Sequence, residues 1–154
     1  MLITRISGQV VGLACVIAVA GGCSTKYQPM GFMGGYDDFR IAADTFEISF
    51  RGNASTPPES VSRYTFRRAS EVTLLHGYTH FLCVSEADRT RVDIVTNSSG
   101  KVSTIQKPRT AMRIRCYKAP LPDSEDLIDA RGVLTFNFPD SLETRESSIV
   151  TEVE

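Results

Sequence analysis

The most reactive position in the chain is a cysteine that follows three small residues. Ala20-Gly21-Gly22-Cys23 closes an apolar run that extends from Val10 to Ala20. Small side chains there suit a signal peptidase, whose narrow site takes Gly, Ala or Ser beside the scissile bond. A thiolate at the same point is open to alkylation by a lipid donor. Two further cysteines, Cys83 and Cys116, fall in strand-like runs. In an oxidising compartment a disulfide between them is available. His76 and His80 are four apart, but Gly77 between them ends the helix that would place both rings on one face, so no metal site is expected. The sequence has no Cys-x-x-Cys pair, no Gly-x-Ser-x-Gly elbow, no phosphate loop and no dinucleotide fingerprint. No catalytic or cofactor-binding residue is therefore nominated, and no enzyme activity is expected. Glu71, three and four residues after Arg68 and Arg67, reads as a structural ion-pair residue. Arg63 and Arg67 share a helix face, and Arg113 and Arg115 share a strand face. A patch for lipid phosphate or peptidoglycan carboxylate is weighed there against a solvated face with acids interspersed, and the solvated face is the expected reading.

Composition sets the frame for these residues. The chain has 154 residues, 42% hydrophobic and 23% charged, enough for one domain with a buried core. Lys and Arg number 17 against 18 Asp and Glu, a formal charge of −1, so no nucleic-acid partner is expected. The apolar run from Val10 to Ala20 is too short for a membrane span, which needs ~20 residues, and has the length of a signal-peptide core.

Ala20-Gly21-Gly22-Cys23 resembles a bacterial lipobox, departing from the pattern only at Ala20, where Leu is preferred. The resemblance implies removal of residues 1–22, a diacylglycerol thioether on Cys23 and acylation of its new amino group. Ser24 resembles the residue that releases such proteins to the outer membrane in Gram-negative cells. Two longer stretches resemble a family of small uncharacterised envelope lipoproteins of Gram-negative proteobacteria. One is Tyr27-Gln-Pro-Met-Gly-Phe-Met-Gly-Gly-Tyr36; the other is Phe50-Arg-Gly-Asn53 followed by Arg68-Ala-Ser-Glu-Val-Thr-Leu-Leu-His-Gly-Tyr-Thr-His-Phe81. Membership implies an envelope lipoprotein with no established reaction.

The elements that would carry these residues follow from periodicity. Residues 23–44 read as a lipidated N-terminus and a tether rich in glycine and aromatics, expected to dock on its own domain. Thr45–Arg51 alternates Phe46, Ile48 and Phe50 with polar residues, as in a half-buried strand. Thr56-Pro57-Pro58-Glu59 matches a capping box and opens a helix with a stripe through Val61, Tyr64, Thr65, Arg68/Ala69, Val72 and Leu75, diluted by Arg68 and ended by Gly77. A strand over 78–84 completes a β-α-β unit with a parallel first pair expected. Residues 91–96 and 101–105 flank a turn and suggest a hairpin; 111–118 reads as an edge or half-exposed strand. Ser124–Arg131 suggests a short helix ended by Gly132, and Leu134, Phe136 and Phe138 suggest a last strand. The domain is expected over 45–139, with 140–154 a polar mobile tail.

The fold class expected is thus α+β, a small two-layer sandwich with one main helix on a mixed sheet of three to five strands. The function expected is a non-catalytic binding or scaffolding module, held to the membrane by lipid on Cys23 and facing the periplasm with an envelope-protein or cell-wall partner. The alternatives from other classes are a membrane-tethered hydrolase or transferase and a small-ligand carrier.

Overall fold

Phe46, Ile48 and Phe50 are fully buried on one face of a strand, β2 (Thr45–Arg51), as their alternation requires. The structure, a computed structural model, describes residues 23–123 and 126–141. Residues 1–22, read as a signal segment, residues 124 and 125 in the suggested second helix and residues 142–154 of the expected tail lie outside the described residues. A strand not foreseen, β1 (Gly35–Arg40), pairs antiparallel with β2, so the sheet begins inside the segment read as tether. Its signal was hidden because the residues on its core-facing side, Tyr36, Asp38 and Arg40, are polar or amphipathic.

α1 (Pro58–Leu75) lies across this sheet. Val61, Thr65, Ala69 and Val72 form its buried stripe. The buried hydroxyls return to the helix backbone: Thr65 donates to the Val61 carbonyl at 2.9 Å and Thr73 to the Ala69 carbonyl at 2.8 Å. A weakly apolar helix can therefore sit on the core without orphaned polar atoms. Leu75, placed in the stripe by sequence, is exposed instead. The helix ends as expected: Gly77 has φ +77°, its N–H reaches the Leu74 carbonyl and that of Tyr78 reaches Thr73, the paired bonds of a Schellman motif. The capping box does not form. Pro57 is the N-cap residue, and the Thr56 hydroxyl is engaged elsewhere.

The remaining strands are β3 (His80–Asp88), β4 (Arg91–Thr96), β5 (Val102–Lys107), β6 (Arg109–Tyr117) and β7 (Ile128–Asp129), followed by α2 (Ala130–Asn137). The main sheet runs β1-β2-β6-β3-β7, every neighbour antiparallel, so it is not mixed. β2 and β3 point the same way, as the β-α-β reading requires, but β6 is inserted between them. β6 is thus central rather than an edge; Met112, Ile114 and Cys116 enter the core while Arg113 and Arg115 face solvent. β4 and β5 form the separate hairpin that the sequence suggested.

Two assignments near the C-terminus change. α2 starts at Ala130, capped by the Asp129 side chain, which accepts from the Arg131 N–H at 3.0 Å. Gly132 lies within its first turn, and Leu134–Phe138 is mostly helical rather than a strand. Residues 134 and 138 are four apart and fit either period; the helix buries Leu134 and leaves Phe136 exposed.

The disulfide available to Cys83 and Cys116 is not formed, and both cysteines are free. They lie on neighbouring strands, but Cys116 is opposite Phe81 and Cys83 is opposite Ile114. This diagonal relation separates Cα atoms by ~7–8 Å, beyond the range a bridge spans. Burial is the main cause raising both thiols above the ordinary cysteine value.

Candidate functional site

Cys23 is the first described residue, and the chain leaving it is fastened to the domain at once. Its carbonyl accepts from Asn53 Nδ2 at 2.7 Å, while its side chain remains exposed. Two residues on, Thr25 is 3% exposed. The Thr25 N–H donates to Thr56 Oγ1 at 2.9 Å, and Thr25 Oγ1 donates to the Met33 carbonyl and accepts from the Asn53 N–H. Thr56, read as a helix cap, instead ties the N-terminal segment to the turn after β2. Gly52 makes this approach feasible, since a Cβ there would lie 2.7 Å from that of Thr56.

The same segment then crosses α1. The Tyr27 hydroxyl donates to Glu71 Oε2, and Arg67 Nε donates to Glu71 Oε1 at 2.8 Å. The Arg67 guanidinium lies 4.0 Å from the Tyr27 ring centre, and that of Arg68 lies 4.3 Å from Tyr36. Arg68 also pairs with Asp38 at 2.8 Å. Tyr27 contacts both Tyr36 and Tyr64, with ring centres 4.7 and 5.5 Å apart. Burial, together with the Glu71 hydrogen bond and charge, pushes the Tyr27 phenol well above its ordinary value, so it stays a neutral donor. Glu71 is therefore structural, as expected, but its role is to hold the N-terminal segment as well as its own helix. The segment 25–36 is a latch in which Tyr27 and Tyr36 pack on their own domain.

Beside the latch is a cleft of about 460 Å³ at the end of β2, the start of β6 and the root of the hairpin. Five of its lining residues are cationic: Arg51, Arg89, Arg91, Lys107 and Arg109. Register brings them together. Arg51 faces Arg109 across the β2–β6 ladder, and Arg91 faces Lys107 across β4–β5. Like charges directly opposite one another are unfavourable in a sheet. Asp93 offsets one pair by accepting from Arg91 at 2.7 Å and Lys107 at 2.9 Å, and these bonds hold its carboxyl below the usual value. Glu47 approaches Arg89 at 4.0 Å but also serves Arg113. Among the described residues, Arg51 and Arg109 meet no carboxylate: Arg51 donates to the Gly31 carbonyl at 2.9 Å, and Arg109 Nε is buried without a partner. Asn53, which holds Cys23, lines this cleft, as do Phe32 and Met33 on the turn of the latch. Phe32 is 100% exposed and Met33 51%.

The arginines singled out by sequence do not form this cluster. Arg67 is committed to Glu71 and Tyr27, and Arg63 lies 5.7 Å from the Phe138 ring. Arg113 and Arg115 approach Glu47 and Asp44 on the open face of the sheet. The converging cations are those at strand ends, and their signal is positional. Arg91 and Lys107 are the first and last residues of the paired hairpin, with Arg89 just before it and Arg109 just after, and pairing the hairpin arms brings them together. His76 stacks on Phe46 with ring centres 4.6 Å apart, and His80 Nδ1 meets the Thr79 hydroxyl. No group of three metal-ligating side chains occurs among the described residues, and no described helix is long and apolar enough to cross a membrane. No family model, curated protein or solved structure matches the chain.

Proposed function

We propose that this chain is a lipid-anchored cell-envelope protein, a non-catalytic binding or scaffolding module facing the periplasm, with Cys23 as the lipidated residue. One observation supports this reading beyond the sequence motif. The backbone is fixed to the domain at Cys23 and again at Thr25, while the cysteine side chain stays exposed. Three acyl chains at that cysteine would hold the protein firmly, each buried CH₂ contributing ~0.8 kcal/mol. With no slack between anchor and domain, the surface around Asn53 would lie against the bilayer. A module held this way presents its far side to an envelope protein or a cell-wall polymer. Ser24 favours the periplasmic leaflet of the outer membrane over the inner membrane.

Labelled palmitate should enter the protein, and Cys23→Ser should abolish labelling and leave an uncleaved form. Persistent labelling of that variant would overturn the assignment.

A further inference from the structure

We propose that the cation-lined cleft beside Cys23 binds the phosphate of an anionic lipid headgroup in the leaflet that holds the anchor, while Phe32 and Met33 enter the interface. This inference rests on the lipid-anchor reading and adds what the anchored face recognises.

Three observations converge on it. The first is charge placed against the grain of folding. Two like-charge cross-strand pairs meet at one cleft, and Arg51 and Arg109 meet no carboxylate among the described residues. Guanidinium groups gathered at one cleft without carboxylates repel one another, and an anion in the cleft would relieve that repulsion. Phosphate suits it better than a monatomic anion because planar guanidinium groups bind its oxygens in pairs.

The second observation is position. Asn53 touches the cleft and holds the Cys23 carbonyl, so an acyl chain leaving Cys23 starts within one side chain of the cations. A headgroup in the same leaflet would reach the cleft at the depth of the membrane surface, where basic residues are drawn to anionic lipid.

The third is the turn at the rim. Residues 31–34 form a tight turn, with the Gly31 N–H donating to the Gly34 carbonyl and the reverse, both at 3.1 Å. It presents Phe32 entirely to solvent and Met33 half so, next to the cations. An aromatic and a thioether on a fixed turn, bordered by arginines, fit the apolar and charged layers of a bilayer interface.

The sequence contains no tryptophan, so Phe32→Trp introduces a single indole, excited apart from the tyrosines, at a solvent-exposed site. The mature lipidated protein with this substitution is placed in vesicles of phosphatidylcholine alone or with phosphatidylglycerol, each containing brominated acyl chains. Strong quenching of the indole is expected in anionic vesicles, several-fold above that in neutral ones. Adding Arg89→Gln with Arg91→Gln should remove most of that difference. These two residues are exposed, and a thermal melt of the variant checks that the fold survives.

Equal quenching in neutral and anionic vesicles, or quenching indifferent to the two arginines, would overturn the proposal. A further arm adds inorganic phosphate to the protein in neutral vesicles and follows amide exchange at residues 89–91 and 107–109. Protection equal to that given by phosphatidylglycerol would replace the lipid with a free anion and overturn the assignment. Failure to float with neutral vesicles would overturn the anchor reading and with it the shared leaflet, whereas floating without headgroup-dependent quenching would overturn the cleft assignment and leave the anchor standing.

Discussion

The N-terminal latch and the β4–β5 hairpin are held in opposite ways. The latch is rich in glycine and aromatic residues and holds about as many apolar residues as the two hairpin arms, and in it Thr25 is buried and Tyr27 and Tyr36 are clasped by arginines. The hairpin is rich in β-branched residues, yet Val92, Ile94 and Val102 are exposed, with Ile94 at 74%. Its arms pair only with each other, apart from the root where the Arg89 N–H reaches the Arg109 carbonyl at 2.7 Å. The difference teaches that apolar content did not decide which segment packs. The latch is ordered by satisfied backbone groups and by cation–aromatic contacts, each of which contributes roughly 0.5–2 kcal/mol. A two-stranded hairpin has no core of its own and is marginal when alone.

Glycine substitutions should break this contrast most sharply. Gly35 has φ +136°, and a Cβ there would lie 2.5 Å from the Pro29 carbonyl oxygen and also clash with that of Gln28. Gly35→Ala should cost about 3 kcal/mol or more in a thermal or urea melt, since backbone strain and collision add. Gly100 at the hairpin tip has φ +76° with nothing within 4 Å, so Gly100→Ala should cost only about 1 kcal/mol. Equal losses would mean that the latch is no better fixed than the hairpin.

Thr56→Val comes next. It keeps the shape but leaves the Thr25 N–H without its acceptor, at a cost of about 1–3 kcal/mol. The same melt, with amide exchange at Thr25 rising, checks it. Helix α1 should keep its start, because the N-cap residue is Pro57 and no side chain caps it.

Tyr27→Phe should cost about 1–2 kcal/mol, because Glu71 loses a donor but keeps Arg67 and Arg68. The pH dependence has a definite sign. The folded phenol titrates above its unfolded value of ~10, so its contribution is complete below pH ~10 and is lost as pH rises beyond it. Wild-type protein should lose stability in alkali faster than Tyr27→Phe, read by melts at increasing pH.

The smallest effect is expected on the hairpin face. Ile94→Ser should change global stability by less than about 0.5 kcal/mol, because its side chain already lies in water. A larger loss in the melt would show that the hairpin is covered in the folded protein.

Much of the scaffold was legible locally. Phe46, Ile48 and Phe50 announced β2, Gly77 marked the end of α1, and Asn97 to Gly100 marked the hairpin turn. What escaped was non-local. Nothing in Met112, Ile114 or Cys116 says that their strand inserts between β2 and β3, because alternation reports a buried face and not a neighbour. The candidate site escaped for the same reason. Arg51 and Arg109 are 58 positions apart, and only register makes them opposite. The lipobox-like run that nominates Cys23 is contiguous, so its nomination needed no register.

The insertion of β6 also sets the order in which the molecule can be built. β2 and β3 have no direct bonds to each other, and Glu47 meets Arg113 across 66 residues. A chain growing from its N-terminus therefore holds β2 and β3 joined only through their packing on α1, with no shared strand between them, until β6 has been made. Loop closure of that length must be met before the sheet rewards it, which slows folding relative to a local β-α-β pair. Until then the β2 edge that β6 will cover is a bare template for other chains. Truncation before Arg109 should accordingly give aggregates rather than a smaller folded domain.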